Sequence, residues 1–261
     1  MRIEQVKDYA EMSHLGARNI YNAIAAKVSA GQPCNLGLAT GNTMIKLYEL
    51  LAEHLNTGKL DLSNLQTWNL DAYAIDDQTA IPHDHPLSYW RYMQENFFCR
   101  LAAERHFKAA QMHFPDPADP AKFDRELASA GGLDLQLLGI GFNGHIAFNE
   151  PQQDSVISVA AFAELPTRVL PLTEETIQQN TALTANGDRE IVPRFAATAG
   201  MKSILAARQE LLLACFAKQE APLRRMLSIG QPTPELPASY LLTHPDAMLI
   251  YTADSINLDG Y

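Results

Sequence analysis

Residues 133–151 read LDLQLLGIGFNGHIAFNEP, and the fold turns on how they are read. Leu133 to Ile140 form a short, nearly continuous apolar run, the mark of a strand buried on both faces of a parallel sheet. Glycines at 139, 141 and 144 follow in G-x-G-x-x-G spacing. A dinucleotide-binding turn uses that spacing, but it also needs a long helix straight after the glycines and an acidic residue ~20 positions on. Glu164 stands at about the right place, yet Asn149 and Pro151 interrupt any helix early. The turn also lies far from the start of the chain. The glycines have a second use: they let backbone N–H groups approach a ligand closely. His145 and Glu150, with Asn143 beside them, then suggest a proton relay. The carboxylate orients and charge-stabilises an imidazole whose ordinary pKa of ~6.5 suits proton transfer near neutrality. A strand-end turn with a histidine satisfied in the core fits the spacing equally plainly.

Outward from this stretch, helical and extended patterns alternate. Met12, Leu15, Ile20, Ile24 and Val28 fall roughly on one helix face, which Gly31 can end. CNLGLA (34–39) reads as a buried strand, TGNT (40–43) as a turn, and Met44, Leu47, Tyr48, Leu51 and Leu55 as a second helix. LQTWNL (65–70) is a strand running into Asp71. A loop rich in Asp, Pro and His at 75–86 precedes a helix carrying Tyr89, Met93 and Phe97. ELLLACF (210–216) and AMLIY (247–251) are two further strands. Strands alternating with helices predict an α/β fold: an open, mostly parallel, Rossmann-like sheet with helices on both faces. No repeat, linker or low-complexity tract divides the chain, so a single domain over residues 1–261 is expected. Ligands of such sheets bind beyond the carboxyl ends of the strands. Thr40–Thr43, Asp71 and Asn143–Glu150 all fall at such ends, which predicts one crevice.

The formal charge of -10 argues against nucleic acid or an anionic membrane as partner, while leaving room for a small anion in a local pocket. The three cysteines are widely spaced and odd in number, and suit a reduced, cytoplasmic setting. MRIEQVKDYAEM is too polar for a secretory leader. No apolar run reaches the roughly 18 residues of a membrane helix. The loop ATGNT, between a buried strand and a helix start, offers Thr40, Gly41, Asn42 and Thr43 as an anion cradle of N–H groups. It also reads as a simple helix cap, and it lacks the lysine of a Walker loop. Asp71, just past an apolar strand, is either a general base or a structural acceptor.

Together these clusters resemble the glucosamine-6-phosphate deaminase/isomerase family, which includes galactosamine-6-phosphate isomerases. LGLATGNT is similar to its phosphate loop and NLDAY to its catalytic-aspartate motif. HPLSYWRYMQENFF (85–98) and PASYLLTHP (237–245) resemble further segments, and LDLQLLGIGFNGHIAFNEP carries the most specific likeness. The related 6-phosphogluconolactonases share a Gly-His turn but not usually the AFNEP ending. The resemblance implies aldose–ketose isomerisation and deamination of an amino-sugar 6-phosphate. Asp71 would move the C2 proton to C1, His145 would assist ring opening, and Asn143 and Glu150 would complete its relay. Thr40 to Thr43 would hold the phosphate. No metal or organic cofactor is implied, the partner is a small sugar phosphate, and the oligomeric state stays open. A lactone hydrolase and a non-catalytic sugar-phosphate sensor are the competing readings.

Three departures from the family pattern stand out. Ala72 replaces an acidic neighbour of Asp71. The usual phosphate arginine would fall at Ala182, and the usual phosphate lysine at Glu220. The expectation is that other cations rebuild the grip. Lys218 comes first, because residues two apart on an extended chain share a side; Arg194 is second and Arg168 third. A substrate without a phosphate is the competing explanation.

Overall fold

In the computed structural model, which describes residues 1–260, the apolar runs become strands of one sheet. In chain order the elements are β1 (Arg2–Val6), α1 (Tyr9–Val28), β2 (Cys34–Leu38), α2 (Ile45–Thr57), β3 (Leu65–Asn69), β4 (Asp71–Ala74), α3 (Tyr89–Asn96), β5 (Met112–His113) and α4 (Pro120–Ser129). There follow β6 (Leu135–Gly139), α5 (Val159–Ala163), β7 (Arg168–Pro171), α6 (Glu174–Leu183), β8 (Phe195–Thr198), α7 (Met201–Leu205), β9 (Glu210–Ala214), α8 (Glu220–Ile229) and β10 (Ala247–Thr252).

The main sheet has seven strands in the order β1-β10-β9-β6-β2-β3-β5, and every pairing is parallel. From β2 the chain steps one way, to β3 and β5. From β6 it steps the other way, to β9 and β10. The order therefore reverses between β2 and β6, and a crevice opens there beyond their carboxyl ends, where open α/β sheets place ligands. The loops leaving these two strands are TGNT and GFNGH. Leu36, Leu38, Leu137, Leu138, Leu212 and Leu213 are almost wholly buried, as strands covered on both faces require.

Local signals start the helices. Asp8 caps α1 by accepting from the Glu11 N–H, and Ser88 caps α3 by accepting from that of Arg91. α1 ends at Val28, ahead of Gly31, whose positive φ of 69° carries the chain onward. Among the described residues no helix is long and apolar enough to cross a membrane.

Two features depart from expectation. The edge strand β1 has four exposed residues of five, so it carries no apolar run to reveal it. The chain also builds a second, antiparallel sheet, β4-β8-β7. Asp71 does stand just past the end of β3, and it also opens β4, paired with Thr198 of β8.

Candidate active site

The crevice is a cavity of about 440 Å³ whose walls come from the loops after β2 and β6, from β4, α3 and α6, and from the loop after β9. The size suits a small ligand. Thr40, Gly41, Asn42, Thr43, Asp71 and His145 all line it.

The β6 loop does not continue as a helix. Residues 141–151 make tight turns, and the next helix is α5, which excludes the dinucleotide reading. Glu164 instead pairs with Lys202 at the surface. The Gly141 N–H donates to the His145 carbonyl at 3.0 Å, and the Gly144 N–H donates to the Gly141 carbonyl at 2.9 Å. Gly144 has φ of 88°, a left-handed conformation that favours glycine, and Leu236 fills the space a side chain there would need. The C-terminal segment braces the turn from behind, through an Ala238 N–H bond of 3.0 Å to the Gly144 carbonyl. Asn149 is fully buried. Its amide donates to the carbonyls of Ile146 and Ala199, and its oxygen accepts from Arg168 at 2.8 Å.

The His145 ring lies directly over Gly141, so that a Cβ on Gly141 would overlap the imidazole. Gly141→Ala is therefore expected to displace the ring and lower kcat by at least ~10-fold, since small misplacements of a positioned group are costly, while the protein stays folded. Normal kcat in this variant, with an unshifted circular dichroism spectrum and Tm, would show that the ring position is not needed.

Glu150 is held from three sides. Thr176 Oγ1 donates to its Oε1 at 2.6 Å, and Asn143 Nδ2 donates to its Oε2 at 2.7 Å. His145 Nδ1 stands 3.3 Å from Oε1, a charge contact rather than a well-aligned hydrogen bond. Asn143 Oδ1 in turn accepts the His145 N–H at 3.1 Å. Burial pushes the Glu150 pKa up, but the His145 ring, Thr176 and Asn143 together outweigh it and bring it down to about 2. Glu150 is thus a fixed negative charge behind His145, suited to steadying an imidazolium and too acidic to hold a proton itself.

Asp71 is the opposite case. Only 9% of it is exposed, and its Oδ1 has no hydrogen-bond partner. Burial raises its pKa from 3.8 to about 7, against the lowering effects of Thr198, His145 and the Phe148 N–H. Two carboxyl groups with oppositely displaced pKa values thus flank His145: Asp71 inside the cavity, and Glu150 behind the ring, where it and Asn143 face a neighbouring pocket rather than the cavity itself. Tyr73, stacked on Tyr89 with ring centroids 4.6 Å apart, walls the same side. Side chains alternate along β4, so Asp71 and Tyr73 face the cavity while Ala72 turns away from it. The missing acidic neighbour of Asp71 is thus a change on the far face.

The TGNT loop is tied down from outside. Tyr92 donates to the Gly41 carbonyl at 2.7 Å and Tyr9 to that of Asn42 at 3.2 Å. Gly41 has φ of 113°, the Met44 N–H closes a turn on the Gly41 carbonyl at 3.0 Å, and residues 42–44 lead directly into α2, so the positive helix end lies at the cavity wall.

The proposed substitute cations fare differently. Arg168 is engaged by Asn149. Arg194 is exposed and does not line the cavity. Lys218 is exposed and does not itself line the cavity, but its Nζ lies 5.4 Å from the centre of the ring of Phe142, which does. Lys218 and Glu220 do not share a side of an extended chain, because residues 217–219 form a 3-10 turn and Glu220 begins α8. Glu220 faces elsewhere, accepting the Asn257 N–H at 2.8 Å and pairing with Arg224. The residue that the turn directs into the cavity is Gln219, whose oxygen accepts from the N–H groups of Cys215 and Phe216 and whose amide donates to the Ile140 carbonyl. Sequence reasoning missed Gln219, Thr176 and Thr198. Thr176 lies 26 residues from Glu150, and nothing in its own neighbourhood points to the contact. Among the described residues no three of His, Cys, Asp or Glu converge as a metal-binding group.

Residues 7–250 match the model of the family described as glucosamine-6-phosphate isomerases/6-phosphogluconolactonase. The chain is 37% identical over 264 residues to a glucosamine-6-phosphate deaminase of Halothermothrix orenii, covering 99% of this chain and 100% of the relative. It is 38% identical over 256 residues to one of Rhodopirellula baltica, covering 96% and 92%. Its structure is similar to that of a monomeric glucosamine-6-phosphate deaminase of the NagB superfamily, with a TM-score of 0.84, 31% identity and 98% of each chain covered. A 6-phosphogluconolactonase of Thermotoga maritima shares the fold at a TM-score of 0.69 and 19% identity, over 96% of this chain and 98% of that one. The chain therefore belongs to the glucosamine-6-phosphate isomerase/6-phosphogluconolactonase family.

Proposed function

We propose that this protein isomerises and deaminates an amino-sugar 6-phosphate of the glucosamine-6-phosphate type, giving a ketose phosphate and ammonia. The observation that carries the reading is a buried Asp71, with its pKa near 7, sharing one cavity with His145, whose ring is backed from behind by Glu150. His145, backed by the Glu150 charge, opens the sugar ring by moving a proton between the ring and anomeric oxygens. Asp71 then removes the C2 proton, which the open-chain carbonyl acidifies, and returns it to C1. The resulting imine at C2 takes up water and releases ammonia. The N–H groups of Thr40–Thr43 receive the phosphate, and Lys218, held against the lining ring of Phe142, is the cation that assists them. Asn143 positions both the His145 backbone and Glu150.

Steady-state assays on glucosamine 6-phosphate, galactosamine 6-phosphate and 6-phosphogluconolactone test the reading. Ammonia and ketose phosphate formed in equal amounts from an amino sugar are the expected result. Lactone hydrolysis without ammonia release would reassign the site, and tight binding with no turnover of any of the three would make the protein a sensor.

A further inference from the structure

We infer that α6 keeps the two halves of the acid–base set in register, and that Thr176 is a positioning residue of the His145 relay, holding the Glu150 carboxylate against the ring. This rests on the amino-sugar deaminase reading and adds to it the residue that aims the relay.

The first observation is where one face of α6 reaches. Thr176 and Asn180 stand four residues apart, so they share that face, and both line the cavity. Their partners belong to different halves of the site. Thr176 Oγ1 donates to Glu150 Oε1 at 2.6 Å, behind His145. Asn180 Nδ2 donates to the Tyr73 hydroxyl at 2.7 Å, and Tyr73 shares the cavity side of β4 with Asp71. Among the described residues, these are the side-chain hydrogen bonds that tie α6 to the rest of the molecule; its others stay within residues 173–189. Apolar packing adds little, because only Thr176 and Ile177 of the ten helix residues are buried. A large share of the docking of α6 therefore falls to these two bonds.

The second observation is the direction of the Thr176 bond. Thr173 caps α6 by accepting the Thr176 N–H at 3.2 Å, and its own hydroxyl donates to Thr176 Oγ1 at 3.0 Å. The Thr176 proton is thereby turned to Glu150, and hydroxyls chained in one sense strengthen one another. Thr176 grips Oε1, the carboxylate oxygen that stands 3.3 Å from His145 Nδ1, while Asn143 grips Oε2. A donor on each oxygen fixes the plane of the carboxylate. Without the Thr176 hydroxyl, Oε1 of a largely buried anion loses its donor and the plane is free to turn. Asn143 belongs to the same turn as His145 and Glu150, whereas Thr176 comes from another element. Only Thr176 therefore couples the placement of α6 to the relay.

The test uses Thr176→Val, which keeps the shape and removes the hydroxyl, Thr176→Ser, which keeps the hydroxyl, and Asn180→Ala. Each is assayed on glucosamine 6-phosphate and on an acyclic analogue. Thr176→Val is expected to lose about tenfold or more on the closed-ring sugar, chiefly in kcat, and less than about threefold on the acyclic one. Thr176→Ser should return to within about threefold of the wild type on both. Asn180→Ala frees the wall beside Asp71 and should slow both substrates alike. Equal losses on the two substrates in Thr176→Val, or no recovery in Thr176→Ser, would show that residue 176 only holds the helix, and overturn the inference. A double-mutant cycle in Tm needs no turnover. Thr176→Val should lower Tm by about 3 °C or more in the wild-type background. Beside Glu150→Gln the drop should be no more than about half as large, because the charged acceptor is gone. Additive Tm shifts overturn the inference and leave the deaminase reading untouched. Coupled shifts in a protein that releases no ammonia from any amino sugar end the deaminase reading and leave Thr176 as the residue that places Glu150.

Discussion

Asp71→Asn is expected to lower turnover of the amino sugar by ~10²–10⁴ or more while leaving substrate binding largely intact. Asparagine keeps the shape of the side chain and the Thr198 neighbourhood but cannot accept the C2 proton. Steady-state kcat together with calorimetric Kd checks this, and a near-normal kcat would remove Asp71 from the chemistry. A pH profile adds a second signature. Burial raises the Asp71 pKa to about 7, and the base works as the carboxylate. Wild-type kcat/KM should therefore rise with pH and level off above about 7. Stability runs the other way. The folded protein holds the Asp71 proton more tightly than the unfolded chain does, so the contribution of this group is full at pH below about 4 and lost as pH rises through about 7. The substituted amide carries no charge to bury. The variant should accordingly melt above the wild type near pH 8, and the gap should close near pH 4. A variant melting below the wild type at both pH values would mean that Asp71 is a structural acceptor.

The second large effect falls on ring opening. His145→Gln and Glu150→Gln are both expected to slow the closed-ring sugar by ~10²-fold or more, with a much smaller loss on an acyclic analogue. Glu150→Gln preserves shape and a share of the hydrogen bonds from Thr176 and Asn143, but removes the negative charge 3.3 Å from the imidazole. Losing that charge disfavours the imidazolium that ring opening passes through. The readout is the ratio of kcat/KM between closed-ring and acyclic substrates in each variant. Equal losses on both would assign the pair to the main proton transfer or to holding the turn.

The positions of Asp71, His145 and Glu150 were legible because each falls just past the end of a buried strand, whereas their roles were implied only by the family resemblance. LDLQLLGI could hardly be anything but a buried strand, and GFNGH places two glycines where a turn must bring an imidazole over bare backbone. The loops after β2 and β6 fall at the point where strand order reverses, and alternation of strands and helices already pointed to such a crevice. The small antiparallel sheet was not legible. Its strands are four residues each, β7 is largely part-exposed, and its β4–β8 pairing joins segments more than a hundred residues apart, so no local period announces it. The same limit hid Thr176 and Thr198, which act on Glu150 and Asp71 from other elements. Gln219 was missed for a different reason. AKQE reads as an extended continuation of β9, but a 3-10 turn rotates Gln219 inward and Glu220 outward. A one-residue change of phase there reverses which side chain faces the substrate.

The most direct test of this acid–base assignment is proton NMR of the reaction in deuterium oxide, with wild type and Asp71→Asn side by side on glucosamine 6-phosphate. The wild type is expected to release one equivalent of ammonia per ketose phosphate, with deuterium appearing at C1 of that product, and at no other carbon, in the fraction of turnovers in which the protonated Asp71 carboxyl exchanges with solvent before it delivers to C1; both signals should be lost together in Asp71→Asn. Ammonia or C1 deuterium arising at the wild-type rate in Asp71→Asn would contradict it.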